Sequence, residues 1–172
     1  KPGKPVRENE AGIKFLQKTV FSLYKEQIPE DFIYGSEVCN CTHVCWFGEF
    51  EGKTFSGELF LCDIVNMFAK EVLEGTWHID GDQPNIKKLS LIDTHPSLGD
   101  VHAVHYNRED GKLYFNYQWQ FYPLTISYKE YLEQVIINKG SGMWPFLFVD
   151  EKHLDDYTKQ RFNEWLVDWN KA

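Results

Sequence analysis

From Leu113 to Tyr122 the chain alternates without a break. Leu113, Phe115, Tyr117, Trp119 and Phe121 fall on one side, and Tyr114, Asn116, Gln118, Gln120 and Tyr122 on the other. A period of two over that length predicts one long strand with a buried face and a polar, ring-bearing outer face. Just before it, Asn107 to Gly111 ends in Asp110-Gly111, the chemistry of a hairpin turn, so a partner strand is expected over Val101–Tyr106. A further strand is expected over Lys88–Asp93. Two β-rich runs between His43 and Leu61, interrupted by Glu51-Gly52, predict another hairpin.

Elsewhere the period lengthens to that of a helix. Ile13, Leu16, Val20, Leu23 and Tyr24 stripe a helix over Glu10–Gln27, which Pro29 stops. Asp63 caps a second helix to Glu74, with Ile64, Val65, Phe68 and Val72 inward and Gly75 at its end. Ser127 and Glu130 stand three apart, the spacing of a capping box, and open a helix with Leu132, Val135 and Ile136 on its apolar stripe and Gly140 as its stop. Asp150 is expected to cap a last helix to Trp169, striped by Leu154, Phe162, Trp165 and Trp169. Residues 75–88 read as the longest irregular loop. Residues 1–9, with two prolines and a glycine among charges, read as a flexible leader, and 10–172 as one domain. Hairpins mixed with helices that do not alternate strictly with strands predict an α+β fold: one twisted antiparallel sheet with helices packed mainly on one side.

Composition narrows the partners. A net charge of −8 argues against nonspecific binding to nucleic acid or anionic lipid, both of which reward Lys/Arg patches, and is compatible with a basic protein partner. No apolar run approaches the roughly 20 residues that span a bilayer. The four cysteines, Cys39, Cys41, Cys45 and Cys62, crowd into the first part of the chain instead of closing loops across it. That placement favours reduced thiols and a cytoplasmic protein.

Two clusters are candidates for chemistry. In an extended Cys39-Asn-Cys41-Thr-His43-Val-Cys45, the thiols and the imidazole share one face and are ligands zinc prefers. A strand spaces same-face neighbours about 6.8 Å apart, however, too far to converge on one ion, and the two-residue knuckle spacing is missing. The competing reading, small thiols packed beside the core, is preferred, and no metal or cofactor is expected. Asp93, His95, Asp100, His102 and His105 could serve a metal-dependent hydrolase. In a strand, though, His102 and His105 fall on opposite faces, and His95-Pro96 turns the chain. A solvated loop is the preferred reading. No nucleophile elbow or phosphate-binding glycine loop is present. The surplus of rings, including Trp77, Trp119, Tyr114, Tyr122 and Trp144, suits a protein interface, with a carbohydrate platform as the competing use.

The segments GDVHAVHYNREDGKLYF (99–115), FYPLTISYKEYLEQVI (121–136) and MWPFLFVD (143–150), with Ile28-Pro29-Glu30-Asp31-Phe32, resemble the SUKH superfamily, in particular the bacterial relatives of the yeast cell-wall-assembly regulators. Residues 35–90 match only in outline. The resemblance implies an α+β fold without enzymatic activity, and a bacterial immunity protein that neutralises a polymorphic toxin, nucleases among them, by binding it. It fixes no functional residue. The interface expected from pattern alone is Tyr114, Asn116, Gln118 and Gln120 on the outer face of the long strand. The alternatives are the metal-dependent hydrolase, using Asp93, His95, His102 and a nearby carboxylate, and a regulatory scaffold.

Overall fold

Strand pairing follows chain order in the computed structural model, which describes residues 28–38, 42–50, 52–62, 83–95 and 102–169, together with Lys14, Lys18 and Met67. Six strands, β1 (Thr42–Phe50), β2 (Lys53–Leu61), β3 (Leu89–Thr94), β4 (His102–Asn107), β5 (Leu113–Tyr117) and β6 (Gln120–Pro123), form one antiparallel meander. The helices among the described residues are α1 (Glu30–Val38), α2 (Tyr128–Ile137) and α3 (Asp156–Trp169). The α+β class expected from the sequence is therefore the observed one. Lys14, Lys18 and Met67 are helical, but the rest of the helices expected over 10–27 and 63–74 lies outside the described residues, as does most of the 75–88 loop.

Local chemistry explains the elements that the sequence announced. The Ser127 Oγ accepts from the Glu130 N–H at 3.3 Å, and the Ser127 N–H donates to Glu130 Oε2 at 2.8 Å. Two orphan donors are thus satisfied at the start of α2. Ser127→Ala is expected to cost about 1 kcal/mol, measured by denaturant unfolding.

Two expected elements are corrected. The long strand is two strands: Gln118 and Trp119 both adopt left-handed backbone (φ 50° and 68°), making a two-residue turn closed by the Tyr117–Gln120 pair. Asp150 caps only a 3₁₀ turn over Glu151–His153, while Asp155 Oδ1 accepts from the Thr158 N–H at 2.6 Å and opens α3. A helix not expected from the sequence starts after Pro29: the Pro29 carbonyl accepts from the Phe32 N–H at 3.0 Å, and Glu30 and Asp31 sit in the first turn of α1, where the helix dipole favours carboxylates.

The described helices pack on one face of the sheet. Phe32 of α1 stacks on Tyr128 of α2 (centroids 4.1 Å apart) and meets the edge of Tyr106. Phe146, in a 3₁₀ turn over Trp144–Phe148, takes Phe115, Tyr117 and Tyr122 edge-to-face at 5.0–5.3 Å. Offset and edge-on arrangements of this kind add to the area that the rings bury. Ile136 is 66% exposed, so the buried face of α2 is Tyr128, Tyr131, Leu132 and Val135 instead of the expected Leu132-Val135-Ile136 stripe. The opposite face of the sheet is closed as well: Leu89, Ala103, His105, Asn107, Asn116 and Phe121 are all buried.

Candidate functional site

The expected interface on β5 does not survive as a unit. Register places Asn116 opposite Ala103 and Phe121, and it is only 3% exposed. The turn at Gln118-Trp119 then reverses the chain, so Gln118 and Gln120 do not continue a face with Asn116. Gln118 and Gln120 are exposed at the hairpin end and Tyr114 is half-buried. The Tyr114 hydroxyl donates to Asp110 Oδ2 at 2.6 Å, and the Tyr122 hydroxyl donates to Gln120 Oε1 at 2.6 Å. Burial together with the Asp110 carboxylate pushes the Tyr114 phenol up to about 12.

The β1–β2 hairpin holds the most exposed large apolar side chain among the described residues, Phe47. Its own register runs unbroken from Thr42–Leu61 to Phe50–Lys53, but β2 meets β3 only at Phe60–Thr94 and Leu61–Asp93. Beyond Phe60 the two strands leave the sheet as an arm. Its base is fastened to the segment after α2. The Glu58 N–H donates to the Gly140 carbonyl at 2.9 Å, and Trp46 Nε1–H donates to the Lys139 carbonyl at 2.6 Å. On the other face His43 Nε2 lies 3.0 Å from Glu58 Oε1. Val44, on the sheet side of Trp46, is 51% exposed, and farther out Phe47 is 87% exposed and Glu49 is exposed. Val44 and Phe47, being three apart, lie on opposite faces of the strand. The sequence carried a signal for this arm in an apolar run that ignores alternation, a pattern otherwise read as a strand buried on both sides.

The Asp/His cluster is brought together in part. An extra residue in β3, between the Leu91–His105 and Asp93–Val104 pairs, makes a bulge that turns Asp93 onto the helix-bearing face. There the Tyr131 hydroxyl donates to Asp93 Oδ2 and the Phe60 N–H donates to Oδ1 at 3.0 Å. Burial raises the Asp93 carboxyl to about 7 despite those donors, which favour its charged form. His95 Nε2 lies 3.8 Å from Asp93 Oδ2. Burial lowers His95 to about 4, so at neutral pH this imidazole is uncharged and the contact is not an ion pair. His102 stacks on Tyr117 (5.0 Å), and His105 lies on the opposite face opposite Tyr114; burial lowers both to about 4. Neither ring nitrogen of His95 has a hydrogen-bond partner among the described residues. Asp100 lies outside the described residues. So do Cys39 and Cys41, while His43 and Cys45 are exposed on one face of β1. Among the described residues no group of three or more His, Cys, Asp or Glu is arranged to hold a metal ion, nor is any helix long and apolar enough to cross a membrane. The cluster's chemistry is therefore that of a buried carboxyl–phenol pair tying β3 to α2, beside neutral imidazoles.

Compared with protein-family models, with curated proteins and with solved structures, the chain matches none.

Proposed function

We propose that this chain is a non-enzymatic protein-binding domain that works as an immunity protein, neutralising a toxin by covering its working surface. The observation that carries the reading is the β1–β2 arm, which holds Phe47 and Val44 in solvent at 87% and 51% exposure. Of the eight large apolar side chains exposed among the described residues, Phe47 is the most exposed and two stand on this hairpin; a ring held that far into solvent is what a protein partner desolvates. The net charge of −8 adds complementarity toward a basic partner and speeds encounter with it. The sequence resemblance to SUKH immunity proteins points the same way.

Affinity capture from a lysate of the source cells, followed by production of the identified protein in a bacterial host, tests the reading. The captured protein is expected to arrest growth, and co-production of the wild-type chain to restore it. A captured protein that is harmless to the host would remove the immunity role. Failure to capture any saturable partner would remove the binding role too. A Tyr114→Ala/Gln118→Ala variant is expected to bind as wild type does, because the arm makes the contact; loss of binding in that variant would return the interface to the β5–β6 end.

A further inference from the structure

The arm's shape says more than that it binds. Past the seam at Gly57 and Trp46, about four residues remain on each strand, a reach of roughly 13 Å at ~3.3 Å per residue. Over this length the described positions are open on both faces. Phe47 and Glu49 stand free on one face. On the other, a Cβ added at Gly48 would meet no atom within 4 Å. A flat partner surface could bury only one of these faces. A cleft buries both.

Charge indicates which kind of cleft. Beyond the seam the hairpin's sequence carries Glu49 and Glu51 against the single Lys53, in a chain of net charge −8. Resting on the protein-binding reading above, we infer that the β1–β2 arm enters a basic cleft of the partner protein as a two-stranded wedge, with Phe47 as its anchor. A cleft of that charge is the kind that accepts a phosphate backbone, and a wedge filling it would exclude a polyanionic substrate by occupancy and by sign.

Gly48 makes the inference testable, because a Cβ placed there meets no atom within 4 Å in the free protein, so a large side chain at 48 tests whether the cleft closes on both faces. The partner identified by capture, produced separately, is titrated against wild type, Phe47→Asp and Gly48→Tyr, with thermal melts establishing that both variants fold. Both are expected to weaken binding at least tenfold, and wild-type binding to weaken steeply between about 50 and 500 mM salt. Photo-crosslinking from position 47 is expected to mark a segment of the partner rich in Lys and Arg. If Phe47→Asp abolishes binding while Gly48→Tyr binds as wild type does, the partner docks on one face, and the wedge is wrong while the binding function stands. If both variants bind normally, the arm is not the interface. Cross-links to an acidic segment, or to a second copy of this chain, would overturn the inference, and the absence of any saturable partner would overturn the function beneath it.

Discussion

Acidification from pH 6.5 to pH 4 is expected to destabilise this protein continuously, with maximal stability close to pH 6.5. His95, His102 and His105 ordinarily titrate at 6.5 but are held at about 4 by burial in the fold. Below pH 6.5 the unfolded chain therefore takes up protons that the folded chain refuses, and stability falls until the folded values are passed. Asp93 acts in the opposite sense. Its carboxyl, ordinarily at 3.8, is raised to about 7, so the fold holds that proton more tightly and loses stability as pH rises from 3.8 through 7. Leaving aside His102, which is partly exposed, two buried imidazoles oppose one carboxyl. The net of one proton corresponds to about 1.4 kcal/mol per pH unit across the interval. Above pH 6.5 only the Asp93 effect remains, a shallow decline that ends past pH 7.

Asp93→Asn separates the two contributions. The amide oxygen can still accept from Phe60, and the Tyr131 hydroxyl can turn to accept from the amide nitrogen, so the seam between β3 and α2 is kept. In that variant the decline above pH 6.5 is expected to vanish and the acid arm to steepen. Thermal unfolding between pH 4 and pH 8 measures both. A wild-type stability that rises as pH falls from 6.5 to 4 would mean that the imidazoles take up their protons inside the fold, leaving only the Asp93 effect.

The same cluster shows where the sequence could and could not be read. Simple alternation puts Asp93 and His95 on one face with Leu89 and Leu91, and nothing in Leu-Ser-Leu-Ile-Asp-Thr marks the bulge that turns Asp93 toward Tyr131. That displacement is settled by packing against α2, a contact 38 residues away in sequence. The capping box at Ser127 and the turn at Asp110-Gly111 were legible because each acts within four or five residues. The turn at Gln118-Trp119 was not, since neither residue favours left-handed backbone and the surrounding alternation runs straight through it. The polar face assigned to β5 failed for a related reason. Alternation separates two faces but does not say that one is wet, and Asn116 is buried on the face expected to be open. For the arm, exposure depends on β2 parting from β3 after Phe60, and pairing length is not encoded in periodicity.

Any side chain placed at Gly57 or Gly140 is expected to detach the arm from its seat. A Cβ at Gly57 would lie 2.3 Å from the Lys139 carbonyl oxygen and 2.4 Å from Trp46 Nε1, inside the hydrogen bond that joins those two groups. Gly140 has φ +63°, and its Cβ would lie 2.6 Å from the Glu58 carbonyl oxygen. Backbone sits on both sides of this seam, so neither clash is relieved by a side-chain rotation. Strained φ alone costs on the order of 1–3 kcal/mol, and the clash and the lost Trp46 and Glu58 bonds add to it. Gly140→Val is therefore expected to cost at least about 3 kcal/mol locally. Trp46 is not part of the core cluster around Phe115, Tyr131 and Trp144. Amide exchange should accordingly rise sharply across 42–60 while 103–117 and 128–136 stay protected, with partner affinity lost in the same variant. Uniform loss of protection across the whole chain would instead show that the arm and the sheet unfold as one cooperative unit, and that its seat on Lys139 and Gly140 is part of the core's own stability.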